Sequence, residues 1–326
     1  MKTANDVLNI NSDEFMNLYK MCSVKQKQIY HYTSPEGLYG ILIDKDYPVL
    51  RFTQYDCVND MTERKDIISF FKTYCDEKVE AGLMDVDFAE MVESIKCNDS
   101  CVVSHEFVEE FDFGDGEKVT ANSRLEQKEC YTYICCFSEN SDMLPMWNYY
   151  TKSNKYEGYS ICFEKDCFSH GIGHNKGFSI SLDKVIYDDE TKRKIADTLL
   201  LNASKEYINL SGKEKANLKK WIEHFMNRFQ FVFKNSAFAH EKEIRATLRV
   251  PISFAENEIL SKRKYKVSNG IFIPYVEYKV PDYRRVSITV APTIKEDIAV
   301  KNLTDMLIDH GYKNVRILRS KVPIRF

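Results

Sequence analysis

The spacing of hydrophobic and polar residues predicts a chain in which helices and strands are mixed. Apolar residues at helical spacing predict helices at 11–22, 34–42, 62–95, 143–150, 190–238 with a break at Ser211-Gly212, and 295–310. Alternating or continuous apolar runs predict strands at 28–33, 50–53, 132–137, 159–163, 178–187, 243–250, 271–278, 284–290 and 314–319. This mixture predicts an α+β fold with a mixed or antiparallel sheet and helical insertions.

The organisation of the chain predicts a single α+β domain over residues 1–326, because neither an internal repeat nor a convincing linker is visible. A capping arrangement from Asn11 begins the short N-terminal helix at 11–22. Residues 98–127 are polar and weakly patterned, so we expect a flexible insertion there. We expect residues 190–238 to form a helical region of the domain.

Composition narrows the class of protein. The 326 residues are 44% apolar and 29% charged, as in soluble globular proteins, and the net charge of −3 provides no global basic field for nucleic acid. No apolar run approaches the roughly 20 residues needed to cross a bilayer, and residues 1–11 lack a signal-peptide core. We therefore expect a cytoplasmic protein without a membrane partner.

Ten scattered cysteines without a C-x-x-C pair predict buried, reduced thiols. Cys97, Cys101 and His105 have the spacing of metal ligands on one helix face, although Asn98-Asp99-Ser100 favours a turn. We expect no metal.

Polar side chains interrupt the apolar periodicity in five places, where an ordinary core would have Val, Ile or Leu. Buried polar residues need partners, and a small polar ligand can be that partner. The five groups are His31 with Thr33; Arg51 with Thr53; Asn59, Asp60 and Glu63; Ser138-Glu139 with Trp147 and Tyr150; and Glu241, Glu243 and Arg245.

The last group predicts a charged face on one strand. On a strand, Glu241, Glu243 and Arg245 would all point the same way. Two close carboxylates raise each other's pKa unless a cation compensates, and Arg245 or Arg51 is available for this. A surface strand with a ladder of salt bridges is the alternative interpretation.

The order of these groups resembles a bacterial family, the domain of unknown function 2971 family, over roughly residues 28–326. The matching motifs are Tyr30-His31-Tyr32-Thr33, Leu50-Arg51-Phe52-Thr53, Asn59-Asp60-x-x-Glu63, Cys136-Phe137-Ser138-Glu139, Met146-Trp147 through Tyr150 with Gly158, and Glu241-x-Glu243-x-Arg245.

The same layout resembles that of ADP-ribosyltransferases, which implies that NAD is the substrate. The resemblance implies that His31, with Thr33 beside it, holds a ribose of NAD. It also implies that Glu243 is the catalytic carboxylate and that Glu241 orients or deprotonates the acceptor, although which acid is catalytic stays open. Further NAD-binding candidates are Ser138 as the middle Ser/Thr element, Tyr32, Phe52, Trp147 or Tyr150 as a stacking ring, and Arg51 and Arg245. The chain departs from the transferase pattern by lacking a Ser-Thr-Ser triplet and by carrying the accessory cluster Asn59, Asp60 and Glu63.

The structural alternatives are that His31 is a core histidine, that Trp147 and Tyr150 are core aromatics, and that Asn59-Asp60 with Glu63 caps a helix.

Three functions fit the sequence. The first is an NAD-dependent ADP-ribosyltransferase or NAD glycohydrolase, a toxin or phage-defence effector acting on an unidentified protein or nucleic acid acceptor. The second is a catalytically inactive, transferase-like sensor of a nucleotide or phage component. The third is a metal-dependent nuclease that uses Asp60, Glu63, Glu241 and Glu243 around Mg²⁺.

Overall fold

A computed structural model describes most of the chain. The described residues are 18, 20–43, 47–57, 63–96, 100–105, 109–112, 118–121, 124–151, 156–168, 177–268, 270–281, 287–293, 295–312 and 315–323, with side chains left out at 63–66 and 100–128. Of the predicted N-terminal helix at 11–22, only its last residues fall in this part, and Leu18, Lys20 and Met21 are helical.

The described residues form strands and helices in the following order. The strands are β1 (Gln28–Thr33), β2 (Val49–Gln54), β3 (Ser100–His105), β4 (Glu109–Asp112), β5 (Lys118–Ala121), β6 (Arg124–Ser138), β7 (Tyr159–Glu164), β8 (Ser179–Lys184), β9 (Glu243–Pro251), β10 (Lys264–Ser268), β11 (Ile271–Lys279), β12 (Ser287–Val290) and β13 (Arg316–Arg319). The helices are α1 (Pro35–Leu42), α2 (Glu63–Glu80), α3 (Val86–Glu93), α4 (Leu144–Tyr150), α5 (Asp189–Ala196), α6 (Asn202–Tyr207), α7 (Gly212–Phe229) and α8 (Glu296–Asp309).

One mixed sheet dominates the described part of the chain. Its main path runs β10-β11-β2-β6-β1-β7-β12-β13, with β9 and β3 also paired to β6 and β8 paired to β9. The register is antiparallel throughout the paired strands of this path except between β12 and β13, which are parallel. The predicted α+β class with a mixed sheet is confirmed.

Contacts divide the chain into two compact units, each assembled from separate segments. The first contains 1–23, 59–98 and 183–242, and the second contains 24–58, 99–182 and 243–326. Each unit has its own apolar core. The first core is formed by helices and includes Phe88, Ile195 and Phe225, whereas the second packs the sheet and includes Phe52, Phe137 and Tyr278.

The structure differs from the sequence prediction in three elements. The helix predicted at 62–95 is two helices, because Gly82 adopts a φ of +68° between α2 and α3. The described parts of 98–127, predicted as a flexible insertion, contain β3, β4, β5 and the beginning of β6. Strand β10 was not predicted, because it is an exposed edge strand and its lysines interrupt the apolar pattern from which strands are predicted.

The region 190–238, predicted to be helical, contains several separate helical segments. It comprises α5, a π-helical segment at Asp197–Leu201, α6 and α7, which ends at Phe229. The predicted break coincides with Ser211, whose hydroxyl and the Glu214 carboxylate form a capping box at the start of α7.

None of the described helices is long and apolar enough to cross a bilayer. Each described cysteine is a free thiol, and most of them are buried.

Candidate functional site

Three of the predicted motifs meet at the end of strand β6. Ser138 is opposite Tyr30 of β1 and also opposite Glu243 of β9. The strand that carries the early histidine, the strand with the middle serine and the strand with the late glutamate are therefore direct neighbours. Their polar residues are separated by about a hundred positions in sequence, so only the folded sheet brings them together.

The sheet is interrupted beside this meeting point. Strand β9 pairs with β6 from Cys130 to Ser138 and so occupies one edge of β6. The other edge pairs with β2 at Tyr133 and Ile134, and with β1 only at Ser138. On this edge, residues 135–137 of β6 therefore pair with neither β1 nor β2. We refer to the gap between β1 and β2 at these residues as the split.

His31 lies in the split and replaces a missing ladder hydrogen bond. Its Nδ1 is 2.9 Å from the backbone oxygen of Cys136. Because a carbonyl oxygen only accepts, Nδ1 carries the hydrogen and Nε2 is left as an acceptor in the neutral ring. Burial lowers the pKa of His31, opposed in part by this hydrogen bond, and the side chain keeps some exposure to solvent.

Glu243 and Arg245 form a buried ion pair at the beginning of β9. Arg245 donates from Nε to Oε1 at 2.7 Å and from a terminal nitrogen to Oε2 at 3.1 Å. Their side chains are 4% and 1% exposed. Such a two-point contact with a guanidinium fixes the carboxylate in place. Arg245, rather than Arg51, is the counter-charge in this structure.

His31 and Glu243 lie on opposite faces of the sheet on either side of the split. Opposed residues of an antiparallel pair share a face, so Tyr30, Ser138 and Glu243 point to one side. His31 points to the other side, where its ring contacts Phe137 with centroids 5.7 Å apart. A single ligand that contacts both groups must therefore pass through or around the split.

Cys136 lies beside Glu243, on the same face of the sheet as Ser138 and Arg245. Burial and the Glu243 carboxylate raise the pKa of the Cys136 thiol well above its ordinary value. The thiol is thus protonated near neutral pH, and it does not provide a nucleophile.

The prediction that Glu241 shares a strand face with Glu243 and Arg245 is wrong. Glu241 ends a 3-10 helix at Ser236–Glu241, and Lys242 then adopts a left-handed φ of 45° before β9 begins. The turn at Lys242 breaks the strand alternation on which the prediction relied. Glu241 belongs instead to the first unit, where it is buried and accepts a 2.8 Å hydrogen bond from Lys234.

Tyr32 and Trp147 form a buried aromatic pair in the second unit. Their rings meet edge to face with centroids 4.7 Å apart, and Trp147 is fully buried. The Tyr32 hydroxyl donates to the Asn140 carbonyl and accepts from the Met143 amide, while Trp147 Nε1 donates to Asp142 at 2.8 Å. These contacts agree with the alternative of a structural pair and order the chain between β6 and α4.

The other predicted aromatic and cationic residues are dispersed. Phe52 is fully buried in the second core, and Tyr150 is 37% exposed at the end of α4. Arg51 is 57% exposed and bonds Glu277 of β11 at 3.4 Å.

Thr33 ends β1 beside a close backbone approach. A Cβ on Gly158 would lie 2.8 Å from the Thr33 carbonyl oxygen, so glycine is required at this position of the motif.

Two clefts of the second unit flank β1. One, of about 440 Å³, begins beside the Ser138 junction and is lined by Gln26, Lys27, Gln28, Tyr30, Glu139 and Glu164. The other, of about 300 Å³, lies near the far end of β1 and includes Pro35, Gly158, Tyr159 and Lys295. Motif residues line both clefts, although His31 and Glu243 themselves line neither.

The accessory cluster falls mainly outside the described residues. Asn59 and Asp60 are not described, and Glu63 is described only as the first residue of α2. The side chains of Cys97, Cys101 and His105 also lie outside the described part. Among the side chains that are described, no group of three His, Cys, Asp or Glu residues could hold a metal ion.

Sequence reasoning missed three groups that hold the candidate residues. The Cys136 carbonyl, Lys234 and Asp142 orient His31, Glu241 and Trp147 respectively. A backbone carbonyl carries no signal in the sequence, and Lys234 is one of many lysines. The sequence pattern therefore could not have identified either of these two groups.

Comparisons with known proteins support the family resemblance. No curated protein and no solved structure matches the chain. Residues 146–246, which include the Met146-Trp147 and Glu241-x-Glu243-x-Arg245 motifs, match the model of the family described as protein of unknown function (DUF2971).

Proposed function

We propose that this protein consumes NAD as an ADP-ribosyltransferase or an NAD glycohydrolase. The observation that carries the proposal is the junction at Ser138, where the strands of His31 and Glu243 flank the same residue. In the transferase layout that the chain resembles, an early histidine, a middle serine and a late glutamate together hold NAD.

His31 has the hydrogen-bonding state that a ribose requires. With Nδ1 donating to Cys136, the ring offers Nε2 as an acceptor for a hydroxyl donor such as a ribose 2′-OH or 3′-OH. Because burial lowers the pKa of His31, the ring stays neutral at physiological pH and keeps this acceptor.

Glu243 has the charge that cleavage of the nicotinamide bond requires. Breaking the bond between nicotinamide and ribose develops an oxocarbenium cation, and a fixed carboxylate in a water-poor site stabilises it. Arg245 holds both oxygens of Glu243, which limits the reorganisation of the carboxylate during the reaction. Water as acceptor gives hydrolysis, whereas a nucleophile on a protein or nucleic acid gives transfer.

In this proposal, one NAD molecule reaches both faces of the sheet at the split. The dinucleotide is long enough to contact His31 from one side of the sheet and Glu243 from the other if it threads the gap between β1 and β2. The 440 Å³ cleft at Tyr30 and Glu139 lies on the other side of the Ser138 junction from that gap. An NAD-consuming enzyme of this kind would serve as a toxin or phage-defence effector.

The test is release of nicotinamide from NAD by the purified protein. We expect turnover that survives EDTA and is lost in Glu243→Gln. Glu77→Gln is the matched control, because the Glu77 carboxylate also accepts two hydrogen bonds from a guanidinium, that of Arg193, at 2.6 and 3.0 Å. Turnover by Glu243→Gln equal to that of the unmodified protein would refute the catalytic assignment.

A non-catalytic nucleotide sensor is the second candidate, and the burial of the Glu243–Arg245 pair favours it. A purely structural ion pair would also contain a carboxylate that is 4% exposed and bound by an arginine. Calorimetry with a nucleotide panel separates the two functions. Binding of NAD or another nucleotide without release of nicotinamide supports the sensor.

A further inference from the structure

The hairpin formed by β10 and β11 extends beyond the rest of the sheet. Strand β11 pairs with β2 only from Tyr275 to Lys279, whereas it pairs with β10 from Ile271 to Tyr275. Residues 264–268 and 270–274, which we call the arm, therefore have no third strand among the described residues. At about 3.3 Å per residue, the arm extends roughly 15 Å beyond the last three-stranded register.

The end of the arm is apolar on both of its faces. Val267 and Phe272 are directly opposed on one face and are 70% and 73% exposed. Ile271 projects from the other face and is 57% exposed. A soluble surface rarely exposes large apolar side chains together in this way without a partner.

Basic and aromatic residues follow in order behind this apolar end. Lys266 comes one position further from the tip, then Tyr265, which is 56% exposed, and then Lys264, which pairs with Glu277 at 2.5 Å. Arg263 follows and lies over the rings of Tyr131 and Tyr265. Segment 261–279 contains five basic residues and one acid, in a chain whose net charge is −3. Apolar groups at the end, tyrosine behind them and lysines at the base follow the polarity profile of a bilayer interface.

We propose that the arm inserts its end into the surface of a membrane rich in anionic lipid. The interface of a bilayer surrounds both apolar faces of the arm, and anionic headgroups match the basic residues behind its end in charge. Insertion stops near the boundary between headgroups and acyl chains, because the turn at Gly270 has backbone groups that hydrocarbon cannot satisfy. This proposal replaces the expectation of no membrane partner, which rests on the lack of a spanning segment and of a signal-peptide core, and it does not depend on NAD turnover.

Sedimentation of the full chain with vesicles tests the proposal. We expect it to pellet with vesicles of phosphatidylglycerol and phosphatidylcholine, and not with phosphatidylcholine alone. The double variant Val267→Ser, Phe272→Ser should bind at least about tenfold more weakly, because it loses the buried apolar groups. Lys266→Gln should bind about fivefold more weakly, since each basic residue near an anionic surface contributes of this order.

Matched control variants distinguish binding through the arm from nonspecific binding of exposed apolar or basic residues to vesicles. Ile208→Ser removes an isoleucine that is 68% exposed in the first unit, and Lys205→Gln removes an exposed lysine there. Both should bind vesicles as the unmodified protein does, and thermal unfolding confirms that each variant folds. Equal binding by the arm variants, no binding to anionic vesicles, or arm-dependent binding to single-stranded nucleic acid or to a second copy in place of vesicles would overturn the proposal.

Discussion

Glu241 and Glu243 are two residues apart in the chain, yet the fold gives them different surroundings. Glu241 ends a 3-10 helix in the first unit and faces Lys234, which donates to one of its oxygens at 2.8 Å. Glu243 begins a central strand in the second unit, and Arg245 binds both of its oxygens. The left-handed turn at Lys242 separates the two environments.

This comparison teaches that a Glu-x-Glu pattern does not make its two acids equivalent. A lysine is a single-point cation on a flexible stem, whereas a guanidinium fixes both carboxylate oxygens in one plane. Glu243 is also directly opposite Ser138, the residue that neighbours the histidine strand. If the protein consumes NAD as we propose, position and fixation both favour Glu243 over Glu241 as the catalytic carboxylate.

The largest expected effect is on stability, when either buried carboxylate loses its cation. Arg245→Met and Lys234→Met should each lower the free energy of unfolding by about 3–5 kcal/mol, because each leaves an uncompensated buried charge. Unfolding in urea followed by circular dichroism measures this. A loss below about 1 kcal/mol in either variant would mean that its partner carboxylate is solvated or protonated, and the comparison would fail there.

The second effect separates the two acids by activity. Glu243→Gln should lower nicotinamide release by about 10²–10³-fold, the range for removal of one electrostatic stabiliser. Glu241→Gln should keep nicotinamide release close to that of the unmodified protein, because Glu241 pairs with Lys234 in the first unit. The reverse result would exchange the two roles.

A smaller effect tests whether the aromatic pair is structural. Trp147→Phe removes the hydrogen bond to Asp142 and leaves that carboxylate oxygen with one partner fewer, so stability should fall by about 1–3 kcal/mol. If Trp147 only orders the segment before α4, the affinity for NAD measured by calorimetry should stay unchanged. A large loss of affinity in a folded variant would make this ring a ligand contact.

The smallest effect concerns pH and His31. Burial lowers the pKa of His31 in the folded state below its ordinary value of 6.5, so the unfolded chain takes up a proton first as the pH falls. This lowers stability as the pH drops through that value. His31→Asn keeps a donor for the Cys136 carbonyl and removes the titration. Its melting temperature should therefore fall less than that of the unmodified protein between about pH 7.5 and pH 5.5. An identical fall in both would contradict a buried, neutral His31.

The sequence predicted most elements of the fold, because periodicity reports which face of an element is buried. It predicted β1, α1 with its Ser34 cap, β7 and α8 close to their observed bounds. It could not predict the division into two units, since each unit is assembled from three segments without a linker between them. Periodicity contains no information on which segments pack together.

The sequence selected candidate residues for the site but did not predict their geometry. The motifs identified His31, Ser138 and Glu243, and the structure places their strands side by side. The split, the opposite faces of His31 and Glu243, and the departure of Glu241 depend on strand register and on the turn at Lys242. Strand register is a property of tertiary pairing, which local sequence does not specify, and a lysine is not a residue from which a left-handed turn is predicted.

The most direct test of the central claim is a crystal structure of the Glu243→Gln protein soaked with NAD. The variant is used so that the dinucleotide stays intact. We predict NAD across the split, with a ribose hydroxyl within hydrogen-bond distance of His31 Nε2 and the nicotinamide ribose beside residue 243. NAD bound elsewhere, or a split filled only by protein side chains at saturating NAD, would contradict the account.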